Sequence, residues 1–156
     1  VQAKGGALYG LEALELLRIE KGHIEVGAEI DGRRTPADLG LTKMLNPKGG
    51  YVGAPALQRP VFSAPGRLTV VGLTSDEPIP EGAMLIADGG GAPVGHVSSA
   101  GLRLTSDGSV ALGLLKDGAA RLGETLLASS PTRGRSARVT VASPHFYDPA
   151  GERYRD

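Results

Sequence analysis

Tyr9-Gly10-Leu11-Glu12-Ala13-Leu14-Glu15-Leu16-Leu17-Arg18-Ile19-Glu20-Lys21-Gly22-His23 is the stretch from which the rest of the chain is placed. Leu11, Leu14 and Leu17 recur every three residues and Ala13 and Leu17 are four apart, which predicts a helix over about Leu8 to Leu17. Glu12 and Glu15 sit toward its N-terminal half, where the helix dipole favours them. Beyond Leu17 the period changes to two. Ile24, Val26, Ala28 and Ile30 alternate with His23, Glu25, Gly27 and Glu29, the pattern of a half-buried strand, with Gly22 as a turn or bulge.

Asp31-Gly32 then signals a hairpin-type turn. Thr35 is a good helix N-cap, Pro36 suits the first helical position and Asp38 falls at the third, so a second helix is expected to start at Thr35. Pro47 limits it, because the residue before proline resists the helical region. A turn at 46–50 and a short helix from Gly53 to Gln58 follow, and Arg59 to Gly66, with Pro60 and Pro65, reads as a linker.

After the linker the texture is all β. Strands are expected at Leu68–Leu73, Ala83–Ile86, Val94–Ser99, Val110–Leu115, Thr125–Ala128 and Ala137–Val141. Short strands at regular spacing with turn signals between them indicate a small barrel or sandwich. No internal repeat is visible.

Composition narrows the function classes. A chain of 156 residues can bury roughly 70% of its unfolded surface and needs no cross-links to fold. Lys+Arg and Asp+Glu are both 17, which removes the electrostatic footprint of a nucleic-acid binder and any polybasic membrane contact. Cysteine is absent, so disulfides, thiolate metal sites and Cys nucleophiles are excluded; a cytoplasmic location suits this composition. No apolar run approaches the ~20 residues that span a bilayer, and no signal-peptide pattern is visible. The chain begins with Val1, which reads as an excised piece or processed product. Glycine at 24 and proline at 11 are high and aromatics at 4% are low, which fits many turns and no stacking platform for bases.

Few residues suggest chemistry. Gly89-Gly90-Gly91 lacks a Walker ending and dinucleotide spacing and reads as a hairpin loop. His23, His96 and His145 have no metal-ligand spacing. Ser98-Ser99 and Ser129-Ser130 lack a nucleophile-elbow setting and read as β-edge or turn residues. Arg18 and Glu20, two apart on the expected strand, share one face: a solvated edge, a polar site wall, or an ion pair to a neighbouring element. Lys43 reads as a surface residue, or one whose stem lies on apolar neighbours.

Tyr9-Gly10 through His23, together with Thr35-Pro36-Ala37-Asp38-Leu39-Gly40-Leu41-Thr42-Lys43-Met44, resembles the C-terminal module of sarcosine oxidase α subunits. That module is itself similar to the aminomethyltransferase of the glycine cleavage system. Tyr51-Val52-Gly53 stands where the family has an aromatic-Ile-Gly step, and Gly95-His96-Val97-Ser98-Ser99 resembles its Gly-x-x-Thr-Ser strand. Val110 to Leu115 resembles the next strand, and Pro144-His145-Phe146-Tyr147-Asp148-Pro149 the C-terminus of the α subunit. Glycine-cleavage enzymes usually carry Arg at the position of Leu14 and Trp at that of Lys43, where they shape the folate pocket; Leu14 and Lys43 match the sarcosine oxidase branch instead. Leu104-Thr105-Ser106-Asp107-Gly108 departs from the Ser-Pro-Ser segment common in the family.

The resemblance implies an α+β fold: residues 1–60 as the C-terminal piece of an aminomethyltransferase-like folate-binding half, and residues 61–156 as a small antiparallel β-barrel. It implies tetrahydrofolate as the shared cofactor, with FAD, FMN and NAD only in other parts of the parent enzyme. It implies capture of the one-carbon unit from oxidative demethylation of sarcosine, with Arg18, Glu20 and Lys43 as the folate-binding residues in this chain and no catalytic residue or metal site. The family's key acidic residue belongs to sequence before Val1, so the chain alone is expected to show no turnover. Expected partners are the N-terminal part of the α subunit and the other oxidase subunits, with exposed apolar surface where they sit and self-association through it. The alternatives are a docking piece without folate binding of its own, a glycine-cleavage-type aminomethyltransferase, or another folate-dependent demethylase.

Overall fold

The computed structural model describes residues 2–104 and 106–155. Thr105, within the segment that departs from the family's Ser-Pro-Ser, lies outside the described residues. Two α-helices, α1 (Leu11–Lys21) and the single-turn α2 (Ala54–Leu57), precede six strands: β1 (Leu68–Ser75), β2 (Met84–Ala87), β3 (Gly95–Leu102), β4 (Ser109–Lys116), β5 (Thr125–Ser130) and β6 (Arg135–Ala142). The strands close into a barrel in the order β1-β4-β3-β2-β5-β6, with β6 pairing back to β1 and every pair antiparallel. The small antiparallel barrel expected from the sequence is therefore present, and all six strands fall where the apolar runs place them. Among the described strands each is paired on both sides, so none is an edge strand.

Alternation along the strands fills the interior. Val71 and Leu73, Ala111 and Leu115, Leu126 and Ala128, and Val139 and Val141 form one buried cluster together with Leu85 and Val97. β4 is buried along almost its whole length. Its Ala111 and Leu115 point inward, whereas Val110 and Leu112 point outward into a second cluster with Ile19 and Phe146. A strand covered on both faces needs no polar positions, which is why 110–115 reads as an uninterrupted apolar run.

The elements before the barrel differ from the sequence reading. α1 runs from Leu11 to Lys21, so Arg18 and Glu20 lie on a helix and not on a strand. Two residues on a helix are about 200° apart, so they cannot share a face. The helix ends at Gly22, whose φ of 74° is left-handed; the N–H of His23 donates to the Arg18 carbonyl at 2.8 Å. The alternating run 24–30 is not a strand either. It is a tight turn in which the Glu25 carbonyl accepts from the N–H groups of Glu29 and Ile30, both at 3.1 Å, with one isolated bridge between Val26 and Ile30.

No second helix starts at Thr35. The capping contacts form: the Thr35 N–H donates to Asp38 Oδ2 at 2.7 Å and the Asp38 N–H to Thr35 Oγ1 at 3.3 Å. Propagation stops after one turn, because Gly40 turns left-handed (φ 72°) and the Asp38 carbonyl is taken by the Val70 N–H of β1 at 2.8 Å. A 3₁₀ turn at Thr42–Met44 carries Lys43.

Candidate functional site

α1 lies on the outer face of β3 and β4, and the polar centre of the molecule forms beneath it. Glu29, projected from the 24–30 turn, is 0% exposed. Its Oε1 is 2.5 Å from Ser98 Oγ and accepts from Ser99 Oγ at 2.9 Å; its Oε2 accepts the Glu25 N–H at 2.9 Å and lies 3.5 Å from Arg18 Nη1. Ser98 Oγ is also 3.0 Å from the Leu112 carbonyl oxygen, so its one proton serves either acceptor.

Two consecutive serines reach one carboxylate because β3 is irregular there. Val97 pairs with Gly113 and Ser99 with Leu112, leaving Ser98 as the extra residue of a β-bulge. Val97 and Ala100 consequently both pack toward the interior, and Ser98 and Ser99 both face outward. From sequence alone Ser98 and Ser99 read as β-edge or turn residues, and Glu29 as a polar position of an alternating strand. The available signal was the Ser-Ser pair itself, since strict alternation would bury one of two adjacent hydroxyls.

Arg18 completes the cluster. Its Nε donates to Glu15 Oε2 at 2.6 Å and its Nη2 to Ser99 Oγ at 2.8 Å, and Nη2 is 3.0 Å from Glu25 Oε2. Of the readings left open for Arg18, the structure forms the ion pair to neighbouring elements. A cavity of about 350 Å³ opens beside this network between α1 and β3, lined by Glu12, Glu15, Arg18, Ser99 and Gly101 among others.

Glu20 points elsewhere. It is buried, its Oε1 accepts the Leu104 N–H at 2.8 Å, and its main-chain carbonyl accepts the N–H groups of Phe146 and Tyr147 at 3.0 and 2.9 Å. Lys21 Nζ pairs with Asp148 Oδ2 at 2.9 Å and holds the Asp148 carboxyl below the usual range. The C-terminal segment is thus strapped over the end of α1. Lys43 is exposed on its 3₁₀ turn. The structure brings none of Arg18, Glu20 and Lys43 into one cluster.

The apolar stripe of α1 is also placed differently from expectation. Ile19 is buried on the barrel, whereas Leu11 is 81%, Leu14 44% and Leu17 49% exposed, next to exposed Leu8 and Tyr9. Among the described residues no group of three or more His, Asp or Glu is placed to hold a metal ion, and no helix is long and apolar enough to cross a membrane.

Comparison with known proteins places this geometry. The chain is 37% identical over 153 residues to a sarcosine oxidase subunit alpha of Rhizobium meliloti, covering 93% of this chain and 15% of that one. It is 32% identical over 161 residues to a 4-methylaminobutanoate oxidase (formaldehyde-forming) of Paenarthrobacter nicotinovorans, covering 19% of that protein. The crystal structure of the glycine cleavage system aminomethyltransferase T from Bartonella henselae superposes with a TM-score of 0.76 at 30% identity, covering 90% of this chain and 39% of that one. The chain therefore spans well under half the length of these relatives. These matches bear out the resemblance read from the Tyr9–Leu45 region. Residues 69–148, from the second residue of β1 to beyond the end of β6, match the glycine cleavage T-protein C-terminal barrel domain, and the chain belongs to that family.

Proposed function

We propose that this chain forms one wall of a tetrahydrofolate-binding module that captures the one-carbon unit released when a methylated amine such as sarcosine is oxidised elsewhere in the same enzyme. The observation that carries the reading is the outward face of α1. Leu11 and Leu14 lie there exposed on a helix whose other side is pinned to the barrel, and the resemblance puts Leu14 at a position where the branches of the family differ. Apolar side chains of this kind pack against a flat ring, and exposed Lys43 offers a cation for a ligand carboxylate.

The residues present fit tetrahydrofolate in part. Arg18 already holds Glu15, Glu25, Glu29 and Ser99, so its role is to orient α1 and not to grip ligand directly. Glu20 faces the 104 loop and the C-terminal strap, so it is not offered as the proton-handling carboxylate. Tetrahydrofolate, when bound, would supply the nitrogen nucleophile that accepts the one-carbon unit. This chain would orient it and keep water from one side. The rest of the enzyme, with its flavin and the remaining pterin contacts, belongs to the same proposal, as do a division near residue 60 and a cytoplasmic setting.

A second reading has its own observation. Leu8, Tyr9, Leu11, Leu14 and Leu17 together leave much apolar surface open, which suits a docking piece packed against other parts of an oxidase. Titration of the chain with tetrahydrofolate separates the two. Micromolar binding, weakened about 5- to 10-fold by Lys43→Ala or Leu14→Asp, supports the folate wall. No binding, with concentration-dependent association in ultracentrifugation, supports docking.

A further inference from the structure

We propose that Glu29 is a positioning residue: through Arg18 it sets how α1 lies on the barrel, and so sets the outward face that borders the ligand. For its functional arm the inference rests on the folate reading above.

A carboxylate removed from water costs several kcal/mol unless it is paired and hydrogen-bonded. Glu29 has those partners, and they come from three separate segments: the 24–30 turn through the Glu25 N–H, α1 through Arg18, and β3 through Ser98 and Ser99. The β-bulge is what delivers both serines, so the strand is bent to serve this one group. Stability alone is a poor reason for the arrangement, since well-packed apolar residues commonly do as well as a buried ionic network. What the network adds is direction. Without Glu29, Arg18 keeps Glu15 on its own helix, Glu25 on the turn and, on the barrel, the Ser99 hydroxyl at 2.8 Å, whose own proton then has no carboxylate to point at. Glu29 takes the Ser99 proton and so turns the Ser99 oxygen toward Arg18, and it adds its own charge 3.5 Å from the guanidinium.

The test uses the 156-residue chain and its Glu29→Gln and Glu29→Asp variants, read by amide hydrogen exchange and by tetrahydrofolate titration. Glu29→Gln is expected to speed exchange across α1 by about 10-fold while β1, β5 and β6 keep their protection. It is expected to raise the tetrahydrofolate Kd by about 10-fold, because the ligand must then order the helix. Glu29→Asp, which keeps the charge, recovers part of both. Lys43→Ala raises the Kd and leaves α1 exchange untouched. Unchanged α1 exchange in Glu29→Gln overturns the proposal, and so does loosening of the barrel strands together with α1. If the unsubstituted chain binds no tetrahydrofolate, the folate reading falls, and the exchange pattern alone decides the positioning role. If Glu29→Gln does not fold, Ser98→Ala, which removes a Glu29 partner and leaves the Arg18–Ser99 bond, asks the same question: α1-limited loosening supports the proposal, and wild-type exchange contradicts it.

Discussion

Gly101 on β3 stands directly beneath Leu16 of α1: a methyl group built on Gly101 would collide with Leu16 Cδ2, and Ile19 Cδ1 is 3.9 Å away. Glycine here is a matter of space, and it lets a helix lie close on the sheet.

Gly101→Ala should therefore cost about 1–2 kcal/mol, as Leu16 rotates or α1 lifts. Leu16→Ala should cost a similar amount through lost packing. The two losses should not add. In the double variant the new methyl group occupies space that Leu16 has vacated, so a denaturant-unfolding cycle should show a favourable coupling of about 0.5 kcal/mol or more. Strict additivity would mean that the two residues do not meet.

A second attachment ties the segment before the barrel to β1. Asp38 is 4% exposed; Arg67 Nε donates to its Oδ1 at 2.8 Å, and Arg67 Nη2 bonds Oδ2. Burial alone would raise the Asp38 carboxyl, but the hydrogen bonds from Arg67 and Thr35 outweigh it and hold the carboxyl below its usual range. Arg67→Met should cost about 2–3 kcal/mol, less than a fully buried pair because Arg67 stays partly exposed. Since the folded Asp38 titrates lower than the unfolded one, its contribution is present above the ordinary carboxylate range. It is lost as pH falls through the folded value, so the difference between wild type and Arg67→Met in chemical denaturation should shrink on strong acidification.

His96, half-buried on the outer side of β3, gives the opposite sign of proton linkage to a paired histidine. Burial pushes its pKa down most and Arg34 pushes the same way; Asp31 opposes them, and Arg33 adds a smaller downward push. The unfolded chain then binds the proton more readily than the folded one. Stability should fall as pH drops below the ordinary histidine value of about 6.5, and level off once the folded ring is protonated. Thermal unfolding from pH 8 to 5 should show this fall in the wild type and a smaller one in His96→Asn. Parallel curves would remove His96 as its source.

The strands were legible because each has one role that its side-chain pattern states. β4, apolar from Val110 to Leu115, is covered by the barrel interior on one side and by Ile19 and Phe146 on the other. The first forty residues were legible only in part. Ile24, Val26, Ala28 and Ile30 alternate as a strand does, yet Val26 is exposed and Glu29 buried, because a carboxylate with four partners outweighs the hydrophobic pattern. The Thr35–Asp38 cap forms without its helix because Asp38 is drawn to Arg67 and Val70, residues some 30 positions ahead. Leu14 and Lys43 carry an expectation about the branch of the family through resemblance alone. The Glu29 cluster was not legible, since its members are about 70 positions apart and meet only once the barrel has closed.

The most direct measurement is an amide-resolved NMR titration of the chain with tetrahydrofolate. If α1 and the 3₁₀ turn form the wall of the site, the signals of Leu11, Leu14 and Lys43 shift saturably together, while those of Leu126 and Val139 in the barrel interior stay in place. Saturable shifts confined to the barrel strands, or none at ligand concentrations well into the millimolar range, would contradict it.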